Sequence, residues 1–140
     1  MSQFYYDDAT AETLAQEVAA LGGPVACVSC PTLFRTLKAR PGGDTCYRAR
    51  DVSRVLRSPA AQDAHPAVAC HLLEFDERYS ARGDFTLYDY NSPEDVPASL
   101  HHTFDVVVAD PPYLSEECFL KTAQCVRRRR GAFPLGAACS

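Results

Sequence analysis

No apolar run in this 140-residue sequence approaches the ~18 consecutive residues that a membrane span requires. The chain does not open with a basic flank followed by an apolar core, so a soluble, unexported protein in the cytosol or nucleus is the expectation. An excess of positive charge is also missing. Fourteen Lys and Arg face eighteen Asp and Glu, a formal net charge of -4, and such a chain is no electrostatic match for nucleic acid, whose binding draws on a basic surface. The local exception, Arg127 to Arg130, falls at an expected helix end, where cations are favoured. A disulfide framework is not indicated either: seven cysteines are an odd count without an export signal, and reduced thiols are expected. Cys27 and Cys30 form a single Cys-x-x-Cys, a spacing that zinc and redox sites use. No second pair stands at ligand spacing and Cys27 lies in an apolar run, so no metal is expected. His65, His71, His101 and His102 read as solvated or locally hydrogen-bonded. Glycine is absent from the first strand-to-helix turn, Ser29-Cys30-Pro31-Thr32, where a nucleotide fold usually carries Gly-x-Gly.

What is present centres on Phe104-Asp-Val-Val-Val-Ala-Asp-Pro-Pro-Tyr113. The run Val106 to Ala109 does not alternate with polar residues, the pattern of a strand covered on both faces, and a central parallel strand is the natural reading. Asp110 then lies at its carboxyl end, where open α/β sheets place ligands, and Pro111 and Pro112 stiffen the turn that carries Tyr113. The alternative is a tight turn in which Asp110 caps local backbone N–H groups.

With 46% hydrophobic content the chain can bury one modest core, and one domain is expected. The three aromatics of Ser2-Gln3-Phe4-Tyr5-Tyr6 form either a lid on the first helix or a wall of a pocket. Asp7 and Asp8 start that helix, Leu14, Val18 and Leu21 share a face, and Gly22-Gly23-Pro24 ends it. Val25 to Val28 reads as the first strand, followed by a helix carrying Leu33, Phe34 and Leu37. Residues 40–66 lose all periodicity and read as an inserted loop, in which four arginines could be a nucleic-acid patch or, more commonly, a solvated surface. Ala67 to Leu73 is the second strand, ending at Glu74-Phe75-Asp76. A carboxylate there can accept from both hydroxyls of a ribose, Asp76 first and Glu74 next; the competing reading is a surface carboxylate paired with Arg78. Phe85 to Tyr88 is the third strand, ending at Asp89-Tyr90-Asn91. Ser115 caps a last helix with Phe119, Ala123 and Val126 on one face. Three strands thus end in acid on one edge of the sheet.

Asp-Pro-Pro-Tyr at a strand end resembles the motif of amino-methyltransferases, and the chain is similar over much of its length to the lysine methyltransferases that act on translation elongation factor 1-alpha. That family was once described as adenine-specific DNA methyltransferases because of this motif. The resemblance rests on Ser2 to Tyr6, Leu14-Ala15-Gln16-Glu17, Ala26-Cys27-Val28-Ser29, Phe75-Asp76-Glu77-Arg78-Tyr79, Tyr88-Asp89-Tyr90-Asn91 and Phe104 through Cys118. It implies a Rossmann-like class I methyltransferase sheet, S-adenosylmethionine as cofactor and the elongation factor as protein substrate. It further implies that Asp110, Pro111, Pro112 and Tyr113 orient the acceptor amine. Ser29 and Pro31 would border the methionine part, Asp76 the ribose, and Asp89 with Tyr90 the adenine. Family members have three further strands, so residues 1–140 are expected to hold the first four strands of an incomplete sheet. The loop at 40–66 would be an insertion and 128–140 a divergent tail, as in an alternative or truncated form with weak or absent turnover. An adenine methyltransferase, or a binding module that contacts the factor without catalysis, are the alternatives.

Overall fold

A carboxylate starts the first helix: Asp7 accepts from the amide of Thr10 at 2.7 Å, and Asp8 opens α1, Asp8–Leu21, with further negative charge at the amino end. The computed structural model describes residues 6–40 and 68–129. Helix α1 stops at Gly22 and Gly23, with φ of 71° and 81°, a left-handed stretch that suits glycine. A Cβ on Gly23 would also stand 2.2 Å from the Asp105 carboxylate. The buried face of α1 is Ala11, Ala15, Val18 and Ala19, while Leu21 is exposed, so the expected Leu14, Val18, Leu21 face is turned by part of a helical turn. Ala15 and Ala19 join Leu33, Phe34 and Leu37 of α2, Pro31–Ala39, in one apolar cluster, and their small side chains set which face of α1 turns inward.

Four parallel strands follow: β1 (Val25–Val28), β2 (Cys70–Glu74), β3 (Phe85–Leu87) and β4 (Val106–Ala109), in the order β3-β2-β1-β4. This is an incomplete Rossmann-like sheet, as the sequence suggests. Side chains alternate across it. Val25 and Cys27 of β1 join Cys70 and Leu72 against α1 and α2, while Ala26 and Val28 join Leu73, Phe104 and Cys125 on the other face. Cys125 comes from α3, Glu116–Arg129, capped by Ser115 Oγ accepting from the Cys118 amide at 3.2 Å.

Glu74 is the last residue of β2, in register with Leu87, within the strand end expected at Glu74-Phe75-Asp76. Strand β4 pairs with β1 alone among the described residues and is half-buried, so it is an edge there, as a sheet of only the first four strands implies, although its residue pattern alone suggests a central strand. Its unbroken apolar run has a cause, since Val106 and Val108 pack towards one cluster and Val107 and Ala109 towards the other. In α3 the inward face is Cys118, Thr122, Cys125 and Arg129, one residue ahead of the expected stripe, and Phe119 is exposed. The expected loop at 40–66, with its four arginines, lies outside the described residues save for Arg40, which pairs with Glu12. Of the tail only Arg128 and Arg129 are described, and both are helical.

His71 is not solvated: it is buried in β2, and its Nε2 lies 2.8 Å from Thr86 Oγ1. Burial is the main cause that holds its pKa down to about 4, with Lys38 acting the same way and Asp84 against it. The unfolded chain therefore takes up this proton first as pH falls. Stability from the neutral ring is whole above about pH 6.5 and is lost progressively towards pH 4. Urea unfolding at pH 5 is expected to give about 2 kcal/mol less from this group than at pH 7.5, and His71→Gln should remove most of that difference. An unchanged pH dependence in the variant would locate the loss elsewhere.

Candidate active site

The order β3-β2-β1-β4 turns back between β1 and β4, and a parallel sheet opens a crevice beyond the carboxyl ends at such a point. Here it is a cavity of about 830 Å³, within the range of small-molecule sites. Ser29, immediately after β1, has a φ of 56°, and its amide donates to Leu73 O at 2.8 Å. The turn thus takes the left-handed conformation that glycine usually supplies, and serine holds it at local strain. Pro31 follows at the first turn of α2, whose N-cap Cys30 makes no side-chain cap bond. The thiols of the Cys-x-x-Cys point into the core: both are buried, Cys30 Sγ donates to Val108 O at 3.5 Å, and the bond with Cys30, reinforced by burial, pushes the Cys27 thiol well up.

Asp110 leaves β4 directly opposite this turn. Its amide donates to Val28 O at 3.0 Å, and its Oδ2 accepts from the Tyr6 hydroxyl at 2.8 Å. The carboxylate is therefore engaged across the cleft and not by the backbone of its own turn. Pro111, Pro112, Tyr113 and Leu114 continue the wall, and the Tyr113 ring meets Tyr90 edge to face with centroids 5.6 Å apart and planes at 61°. Asp89 lines the same cavity after β3, with Oδ1 accepting from the amide and side chain of Asn91 at 2.8 and 3.0 Å.

The ends of β2 separate two carboxylates that sequence pattern treats alike. Glu74 faces the cavity and is buried; its Oε1 accepts from the amides of Phe75 and Asp76 at 2.8 and 3.3 Å. Burial raises its pKa, opposed by those two amides. Asp76 is not among the residues that line the cavity. It caps the 3-10 turn Glu77–Tyr79 and is held by Arg78, whose side chain donates to both of its oxygens and keeps its carboxyl below the usual range. Of the nine residues expected at the site, Ser29, Pro31, Asp89, Tyr90, Asp110, Pro111, Pro112 and Tyr113 share the cavity, and Asp76 stands outside it.

Tyr6 and Glu74 complete the arrangement. The first was legible only as one of three aromatics before a helix; the second stands two residues ahead of Asp76 and was the next choice of the acid pattern. Glu74, Asp89 and Asp110 put three carboxylates on the cavity, and no Lys or Arg lines it among the described residues.

A family model described as "Probable N6-adenine methyltransferase" matches residues 1–132. The chain belongs to this family. Curated relatives include the EEF1A lysine methyltransferase 1 of Gallus gallus, 40% identical over 132 residues, covering 91% of this chain and 51% of the relative. The protein of the same name from Danio rerio is 41% identical, with 91% and 68% covered. The Caenorhabditis elegans protein-lysine N-methyltransferase M142.8 is 35% identical over 137 residues, with 91% and 54% covered. The chain spans about half the length of most of the relatives it matches. No solved structure matches it. All cavity residues named above fall inside the matched family region.

Proposed function

We propose that this chain is a protein-lysine N-methyltransferase that binds S-adenosylmethionine and a lysine of translation elongation factor 1-alpha in this one cleft, in the cytosol. The observation that carries the reading is Asp110 beside the β1 turn, in a cavity shared with Glu74 and Asp89 and lined by no cation among the described residues. Such a cavity suits a cationic donor and a cationic acceptor side chain. The names of the relatives support lysine as acceptor and the elongation factor as its source.

When bound, S-adenosylmethionine would supply a methyl on a sulfonium, whose sulfur leaves as a neutral thioether as the amine lone pair forms the new N–C bond. The chain's own residues fit both partners. Glu74 Oε1 is pinned by two amides, which leaves Oε2 to accept from ribose hydroxyls. Asp89 Oδ2 is left in the same way for the adenine amino group, while Ser29 and Pro31 border the methionine part. Asp110 and the carbonyls of the double-proline turn take N–H bonds of the acceptor, so that its lone pair points at the methyl, and the rings of Tyr113 and Tyr90 exclude water beside it. An ammonium with an ordinary pKa of about 10.4 must first release one proton to water to free its lone pair, and the methylated nitrogen then carries the positive charge that the sulfonium gives up.

An adenine acceptor is less well served. Arg127 to Arg129 lie at the opposite end of the sheet, since the amides of His102 and Phe104, ahead of β4, donate to Arg128 O and Arg129 O. Calorimetric titration with S-adenosylmethionine, followed by labelled methyl transfer to elongation factor or to DNA, tests the reading. Binding, label on the factor, and a rate that rises between pH 7 and 9 as ammonium deprotonates are expected, whereas adenine, uncharged there, gives no such rise. Label on DNA alone would overturn it, and factor captured without label would leave a binding module. Within this reading Glu74→Gln should weaken cofactor binding about 10-fold or more, while Asp76→Asn changes it by less than about threefold. The reverse order would return the ribose to Asp76.

A further inference from the structure

The phenol of Tyr6 is 104 positions from Asp110 in sequence and 2.8 Å from its Oδ2 in space. Tyr6 stands immediately before Asp7, the N-cap of α1, and α1 is seated on α2 through Ala15 and Ala19, so the ring is delivered to the cleft by an anchored helix start. The residue it touches is fixed at its backbone by the bond to Val28 O, yet that bond does not set the orientation of its carboxylate, which turns about χ1 and χ2. Among the described residues Tyr6 is the group that sets it: Oδ2 is occupied, and Oδ1 is left for an incoming N–H.

Resting on the function proposed above, we propose that Tyr6 is a positioning residue for methyl transfer, its hydroxyl locking the Asp110 carboxylate in the orientation that receives the acceptor amine. Burial, then the bond to Asp110 and its charge, raise the Tyr6 pKa well above the usual phenol range. The phenol therefore remains a donor at neutral pH and does not serve as the base that takes the acceptor's proton. Tyr6 takes no part in bond making: the amine nitrogen forms the bond to the methyl carbon as the carbon–sulfur bond breaks, the electron pair stays on sulfur, and the proton leaves to water. Its contribution is geometric, and misplacing a reacting group by about 1 Å can cost as much as 10²-fold in rate.

The test is Tyr6→Phe, which keeps the ring and removes the hydroxyl. Affinity for S-adenosylmethionine by calorimetry and KM for elongation factor are expected to stay within about threefold, with kcat falling about 10-fold or more. Added to Asp110→Ala, the substitution should cost nothing further, because the group it orients is gone. A readout free of turnover is the 13Cζ resonance of Tyr6, which reports the bond its hydroxyl donates and should move on Asp110→Ala, which removes the acceptor, in the protein without ligands. An unmoved resonance would show that the bond is not made in solution and overturn the proposal. An unchanged kcat, or a rise in KM alone, would reduce Tyr6 to a wall. A faster Tyr6→Phe enzyme would make the phenol a plug in the acceptor's place and overturn it equally. A chain that binds the cofactor and methylates no amine would remove the functional reading together with this one, whereas loss of this one alone leaves wild-type turnover intact.

Discussion

Asp110→Ala is expected to lower kcat for methyl transfer by about 10²- to 10³-fold while the affinity for S-adenosylmethionine stays within about threefold. The asymmetry follows from where the carboxylate sits. In the proposed arrangement Ser29, Glu74 and Asp89 form the cofactor side of the cavity, and none of their hydrogen bonds involves Asp110. Asp110 leaves the end of β4 with its amide on Val28 O and one oxygen on Tyr6, and in that arrangement it faces the acceptor. An acceptor without it still enters the cavity but is no longer held with its lone pair in line, so the loss falls on the chemical step and not on cofactor binding. Asp110→Asn retains one carbonyl acceptor in the same place and should lose about 10-fold, between wild type and alanine. Labelled transfer under saturating cofactor measures both. Full turnover in the alanine variant would refute the assignment of Asp110, and parallel loss of cofactor affinity would mean that the residue builds the cavity and does not orient the amine.

The same comparison shows what the sequence made legible. Val106 to Ala109 read as a strand ending in a site because an unbroken apolar run must be covered on both faces, and its side chains do pack into two clusters. That β4 has one neighbour among the described residues was not in the run itself, since covered faces and paired edges are separate properties. The acid at the end of β2 was legible as a type and not as a position. Glu74 and Asp76 are two residues apart and interchangeable in pattern; in the fold the ladder to Leu87 carries β2 through Glu74, which lines the cavity, and Arg78 holds Asp76 outside it. The α1 face was misread because alanines carry little weight in an apolar stripe, although Ala11, Ala15 and Ala19 are the residues that turn inward. Tyr6 was legible as an aromatic that must pack, but its partner was not, because nothing local in sequence reports a contact made between the first helix and the fourth strand.

Lys38, Asp84 and His71 were illegible for a different reason: charged and polar residues are read as surface, and these are 8%, 2% and 5% exposed. Asp84 precedes β3 and Lys38 lies in the last turn of α2, with Nζ 2.5 Å from Asp84 Oδ2. Arg82 Nε lies 3.3 Å from the other oxygen, and both cations stand over the Phe34 ring at 5.8 and 5.3 Å. The Asp84 carbonyl also accepts from the Leu72 amide, so the carboxylate is fixed to the sheet that it ties to the helix. Asp84→Ala is expected to cost about 3–5 kcal/mol, because it leaves a buried ammonium without the carboxylate that offsets its desolvation. Arg82 adds little to that figure, being half-exposed and able to turn to water. Against a typical total of about 5–15 kcal/mol for a domain, this is among the largest single losses the fold can show, and urea unfolding at pH 7.5 measures it. Lys38→Met with Asp84→Leu separates charge from packing. If the penalty is an uncompensated buried charge, the apolar pair should recover most of the stability, since replacing both partners removes the desolvation cost as well as the attraction. A loss under about 1 kcal/mol in Asp84→Ala would mean instead that Lys38 reaches water when released, and that α2 is held to the sheet by Leu33, Phe34 and Leu37 alone. Because the pair lies at the amino ends of the strands, away from the cavity, the folded fraction of Asp84→Ala should bind S-adenosylmethionine as wild type does, which makes cofactor affinity the control that distinguishes a strut of the fold from a part of the site.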